Sequence, residues 1–467
     1  MFTHKLRPFF PLLIILNLLL TACSTSSHVP DATATPILPT TALSAETVQS
    51  TGATTETPVT PSGPYNPTPT LNYASPNPVQ ISEMQFIQQD NRLVVVAKFQ
   101  NIYEEAILRD VQFEVLALDA AGNRIAQEIG SIEYLFPRQT SGLVRTFDLI
   151  GGVETTSVEV HFSGGIMDTD LDYRQPFTIT NPVLFTDINE NSLINGWLTN
   201  QDDLTYTEIE LNAVAYNANG EIIGGGNTYA EFVPAEDKIG ISIPCLVSGT
   251  AVRVEIYPWI SAYSASLEGG SWWNNIKVKN WNFAVTADRQ IAGGAELINI
   301  TDKVLTGTYY IITVYDDQDR VCLVDKNFIN FMLPGETLYF SPGVLSSPPS
   351  SEPAHVDMLI IPGEFGEYDL AYNPLVTSQA LLLADQDTLT IQVSVLNNLN
   401  ASISTALITV VLEDEKGNII GGGQAYAPLL PANSSVQVEI PVIIVGNFQH
   451  LTIKSSATLP PTATIIP

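Results

Sequence analysis

Basic residues are scarce in this chain: 19 Lys and Arg stand against 49 Asp and Glu, a formal net charge of −30 over 467 residues. Beyond Lys5 and Arg7 there is no run of Lys or Arg. Nucleic acid and anionic headgroups would both be repelled by such a surface, so no nucleic-acid partner is expected. Cysteine is nearly absent, with Cys23, Cys245 and Cys322 the three in the chain. Cys245 and Cys322 occupy unlike positions in the repeat described below, which excludes a repeated intersheet disulfide and predicts buried free thiols. The five histidines, His4, His28, His161, His355 and His450, show no metal-ligand spacing. There is no G-x-S-x-G, no H-E-x-x-H and no S-x-x-K with its companions, so no reaction is expected and the chain reads as a non-enzyme. No stretch beyond the first twenty-odd residues sustains a 3.6-residue period, which argues against a helical fold.

What the chain does have is repetition. GEIIGGGNTYAEFVPA, starting at Gly220, returns as GNIIGGGQAYAPLLPA, starting at Gly417, with ten of sixteen positions identical at an offset of 197. Halving that offset locates weaker copies at DAAGN, with Gly122, and at YDDQDR, where Asp319 takes the place of the glycine. Prolines recur at Pro137, Pro234, Pro334 and Pro431, and aromatics at Tyr73, Tyr173, Trp272 and Tyr372. Four tandem units of about a hundred residues follow from these spacings. The expected units are 73–172, 173–271, 272–371 and 372–457, with a Pro/Thr-rich tail at 458–467.

Lys5 and Arg7 precede the apolar run Phe9–Leu20, too short to span a bilayer, and then Leu20-Thr21-Ala22-Cys23. That run resembles the lipobox of bacterial lipoproteins. The resemblance implies a signal peptide over 1–22 and a Cys23 lipidated as the first mature residue. Two or more acyl chains at about 0.8 kcal/mol per buried methylene would anchor the protein stably. Residues 23–72 are mostly Thr, Pro, Ser and Ala without Lys or Arg, and read as a disordered tether.

Within each unit the strand signal is plain. Val111, Phe113 and Val115 alternate with Gln112 and Glu114, and Ile209, Leu211 and Ala213 with Glu208, Glu210 and Asn212. Glycines at the hairpin turns take positive φ at little cost. Some seven short strands per hundred residues predict an all-β fold of four tandem antiparallel sandwiches. Ile312-Thr313-Val314-Tyr315-Asp316 followed by Pro334-Gly335-Glu336 resembles the FxLYD domain family, an immunoglobulin-like sandwich of bacterial surface proteins. The other copies depart from that motif, with ALDAAG, AYNANG and VLEDEKG at the turn. The resemblance implies a fold and an extracytoplasmic setting, and brings no catalytic residues.

Three features invite a site. The triple glycines Gly224–Gly226 and Gly421–Gly423 suggest a phosphate loop, but no Lys-Ser/Thr and no helix follow, so a bulge or close sheet contact is expected. Asp168, Asp170 and Asp172 alternate as calcium ligands do, yet Tyr173 and Ile179 occupy the sixth and twelfth EF-hand positions. Calcium is thus the cofactor to test for, and a solvated acidic linker is the favoured reading. All five tryptophans, Trp197, Trp259, Trp272, Trp273 and Trp281, lie around the second and third units. Trp272 and Trp273, adjacent on a strand, must face opposite ways, so these two with Trp259 are the candidate ligand contacts. The sequence therefore predicts a lipid-anchored, surface-displayed array serving structural display, adhesion or protein binding. The alternative is a carbohydrate- or peptide-binding accessory lipoprotein using aromatics near the junction of units two and three.

Overall fold

The computed structural model describes residues 77–466 except 170–172, 188, 268–274, 367–371, 385–388, 447–449 and 461–462. The expected signal peptide and tether, with Cys23, lie outside these residues, as do Trp272, Trp273, Asp170 and Asp172. All strand pairs are antiparallel and no α-helix occurs among the described residues, so the all-β expectation holds.

Each domain is built from two layers of strands. In the first, sheet I joins Val79–Gln89, Arg92–Asn101 and Thr140–Asp148, while sheet II joins Arg124–Leu135, Ile107–Leu118 and Ser157–Phe162. Inward residues of both sheets, among them Val95, Ala97, Phe99, Val111, Phe113 and Val115, close a core between them. The third and fourth domains repeat this plan around cores of their own, while in the second the two layers are joined into one six-stranded sheet where Gly224 and Gly225 pair with Val247 and Leu246. A short last strand pairs back to the first half of sheet II or its lead-in: Ile166–Asp168, Ala265–Leu267, Glu364–Gly366 and Ile465–Ile466. The last of these corrects the expected tail at 458–467. Ile465 and Ile466 pair with Ile403 and Ser402, and Leu459 is buried. Proline and threonine there suit a connection lying against a sandwich as well as they suit a free end.

The turn landmark works as expected. Gly122, Gly220, Asp319 and Gly417 all have positive φ. In each turn a side chain three residues earlier, Asp119, Asn217, Asp316 or Asp414, accepts two backbone N–H groups through its Oδ1. This is the Asx turn that makes Asp and Asn favoured at such positions.

Consecutive domains are not strung out as separate beads. The outer face of sheet I in one domain packs on the outer face of sheet II in the next, at all three junctions. Val94, Val96 and Val144 point away from the first core, yet are fully buried against Val214, Tyr216 and Ile222 of the second domain. Burying each valine contributes about 1.5–3 kcal/mol, so neighbours stabilise one another. The triple glycines make this contact close. A Cβ on Gly225 would lie 3.3 Å from Val96 Cγ2 of the first domain, and one on Gly226 2.0 Å from Pro244 O within the second. One on Gly422 would lie 2.8 Å from Gly293 O of the third domain. The sheet-contact reading of GGG thus holds, and the 197-residue offset marks the two domains that bring triple glycines to such a contact. The final sheet I carries Thr390, Gln392 and Ser394 where the first domain has Val94, Val96 and Lys98. This outer face is therefore the more polar of the two.

Candidate binding clefts at the domain junctions

Asp319 shows how a turn becomes a junction. Its backbone oxygen accepts from Trp197 Nε1 at 2.9 Å and from Asn181 Nδ2 at 2.9 Å, both in the second domain. Its carboxylate lies 3.3 Å from Lys238 Nζ, which stacks 3.8 Å over the Trp197 ring. The Tyr315 ring meets Trp197 edge-on at 5.3 Å. Trp197 is therefore a domain-docking residue.

Trp259 requires a correction. It is 2 % exposed, and its ring enters the core of the first domain although its strand belongs to the second. Phe99 and Phe113 meet it edge-on at 5.9 and 6.0 Å, and Nε1 donates to Ser141 Oγ at 2.7 Å. Arg145 stacks over both Phe113 and Trp259 and pairs with Glu210 of the second domain at 2.7 Å, both side chains 3 % exposed. A ring so enclosed packs and cannot present a face to a ligand. Among the described tryptophans Trp281 alone is exposed.

Asp168 sits 3.5 Å from Arg109 Nε, a pairing that opposes its use as a calcium ligand. Among the described residues no group of three or more His, Cys, Asp or Glu is placed to hold a metal ion. Cys245 and Cys322 are free and buried, and burial pushes their thiols up to about 12 and about 11. Neither thiolate forms at neutral pH, so neither is a ready nucleophile.

Concavity lies instead at the junctions. Between the second and third domains a cleft of about 620 Å³ is lined by Phe232, Leu267, Tyr309, Ile361, Pro362 and Phe365. Leu267 and Asn275, the described residues on either side of 268–274, both line it. Glu231, at the rim, is ion-paired with Lys326, and Lys303 lies 4.8 Å over the Phe365 ring. Burial and the nearby Glu231 and Glu208 push the Tyr309 hydroxyl up, so it remains a neutral donor. Leu267 and Phe365 are 37 % and 51 % exposed, leaving their apolar surface open to a guest.

The junction of the first and second domains has a cleft of about 600 Å³ in the corresponding place. Glu133-Tyr134 there and Glu231-Phe232 at the next junction both precede a landmark proline, at Pro137 and Pro234. Both volumes fall in the range of small-ligand pockets, about 300–1,000 Å³. Sequence reasoning missed these residues although the Glu-aromatic pair recurs, because the signal says nothing of concavity until two domains dock.

No family model matches this chain, and no curated protein matches it. Among solved structures it is similar to dimeric latent PorU from Porphyromonas gingivalis, at 10% identity over 83% of this chain and 33% of that one, TM-score 0.14. It is also similar to the native conformation of E. coli alpha-2-macroglobulin, at 9% identity over 84% and 30%, TM-score 0.12. The chain thus spans about a third of the proteins it matches, and likenesses this weak carry no argument about function.

Proposed function

We propose that this protein is a non-enzymatic, lipid-anchored binding array held outside the cytoplasm, with its contact surface for a protein partner at the junction of the second and third domains. The observation that carries this reading is the 620 Å³ apolar cleft, built from side chains of both domains. Docked sandwiches hold such a cleft rigid, and a rigid cleft lowers the entropic cost of binding. The Leu20-Thr21-Ala22-Cys23 run supports the anchor. His161 and His355 pair at the surface with Glu159 and Asp317, each 3.1 Å away, and line neither cleft. An apolar peptide side chain fits the wall made by Phe232, Ile361, Pro362 and Phe365, while Thr207, Asn275 and Tyr309 can meet the peptide's polar groups.

Two measurements test the reading. Replacing Cys23 with Ser should move the protein from the membrane to the soluble extracytoplasmic fraction; unchanged membrane association sinks the anchor. Phe365→Ser in the full chain should leave the melting temperature nearly unchanged, because the ring is 51 % exposed. The same change should cut recovery of a partner from surface extracts at least tenfold. Equal recovery by parent and variant sinks the binding site.

A further inference from the structure

We infer that the cleft between the first and second domains is a separate site for a neutral, polyhydroxylated ligand, a glycan segment. Its lining includes Tyr134 from the first domain, Tyr173 and Tyr206 from the second, and Ser261, Ser264 and Ser266. The half-buried rings of Tyr134 and Tyr173 supply rigid faces for sugar C–H groups, while Tyr206, in the core, holds Tyr173 through its hydroxyl. Tyrosine and serine together form the lining that antibody paratopes use for polar recognition.

The hydroxyl chain leaves an acceptor free at one end. Tyr206 donates to Asp202 Oδ2 at 2.5 Å, so its own oxygen is the acceptor for Tyr173, whose hydroxyl lies 2.9 Å away. With its proton committed, the Tyr173 oxygen keeps lone pairs for an incoming hydroxyl. The Tyr173 and Tyr134 rings meet edge-on at 5.0 Å, which fixes both. Ser264 Oγ is spent on the fold, donating to Glu208 O at 2.8 Å and accepting from Ser261 N at 2.9 Å. Ser266 stands exposed.

Charge and polarity narrow the ligand. No Lys or Arg lines the cleft, and Glu133 does, so an anion is disfavoured. An apolar guest would strip water from the phenols and the carboxylate without replacing its hydrogen bonds, at about 1–3 kcal/mol for each group. The next junction offers the contrast within one molecule. In its corresponding cleft Phe232 stands for Tyr134, Ile361 for Ala262, Gly363 for Ser264 and Phe365 for Ser266. One architecture thus carries two chemistries. The glycan site does not depend on the apolar cleft or on its proposed partner.

The test is saturation-transfer NMR on the full purified chain with cellotetraose, chitotetraose and maltotetraose, beside trigalacturonate and tetralysine as anionic and cationic probes. At least one neutral tetrasaccharide should receive saturation. Tyr173→Phe, a conservative change, and Ser266→Trp, which fills the cleft from an exposed position, should each weaken that binding at least tenfold. Phe365→Ser should leave it unchanged. Transfer to none of the three sugars, transfer to a charged probe alone, or sugar binding that persists in Ser266→Trp would overturn the inference.

Discussion

Asn397→Ala should cost the fourth domain much of its stability, and the reason recurs in every domain. Asn397 ends the second strand of its sheet I and is 0 % exposed. Its Nδ2 donates to Ala401 O, Leu430 O and Pro431 O at 2.9, 3.1 and 3.2 Å, and its Oδ1 accepts from Leu399 N at 2.9 Å. One side chain therefore ties the end of a strand to the proline turn of the facing sheet. Asn101, Asn200 and Asn299 make the equivalent bonds. Alanine would remove four hydrogen bonds, although Leu430 O keeps its bond from Ile403 N, and at about 0.5–1.5 kcal/mol for each bond a loss of about 2–6 kcal/mol is expected. Against a domain stability of about 5–15 kcal/mol this is severe. With a urea slope of about 1–3 kcal/mol/M, the transition assigned to this domain should move down by on the order of 2 M. Equilibrium urea unfolding of the full chain measures the shift, and amide exchange at Leu399 should accelerate with it. The exposed neighbour Asn398, changed to Ala, should shift stability by less than about 0.5 kcal/mol. If the two variants unfold alike, the buried asparagine does not pin the sandwich.

Two further outcomes follow from particular side chains. Asp319→Gly should be neutral or stabilising by up to about 1 kcal/mol: glycine suits the φ of 59° better, and the lost pair with Lys238 is well exposed. A clear destabilisation in thermal melts would mean that the carboxylate, and not the backbone oxygen, holds the junction. Glu336 accepts from Leu333 N and Asn373 Nδ2, yet burial raises its carboxyl above the usual value of 4.5. A carboxyl raised on folding favours the folded state most when protonated, and that contribution falls as pH climbs from the unfolded value through the folded one. Glu336→Gln cannot titrate, so its stability relative to the parent should improve as pH rises through this window. A difference that stays flat between pH 4 and pH 7 refutes the assignment.

The regular spacing of turns, prolines and alternating apolar residues was enough to determine four all-β units, because short-range physics decides those features. A hairpin turn that needs positive φ selects Gly, or Asp at 319, whatever lies elsewhere in the chain. A half-buried strand likewise declares its period of two. The GGG runs were also legible, since a residue without a Cβ implies close approach, although the surface approached was not. Tertiary structure decided what covers each outer face. Val94 and Val96 look like core residues of their own unit, yet they are buried by residues more than a hundred positions later. Trp259 looked like part of an aromatic surface and proved to fill the core of the preceding domain. The buried asparagines recur at 101, 200, 299 and 397 in plain view, but a polar residue at a strand end reads equally well as solvated. Its partners are carbonyls some 34 residues away in the case of Asn397, which folding alone brings within 3.2 Å. The clefts belong to the same class: each wall is encoded in a different domain, and a cavity exists only where docking leaves two walls apart.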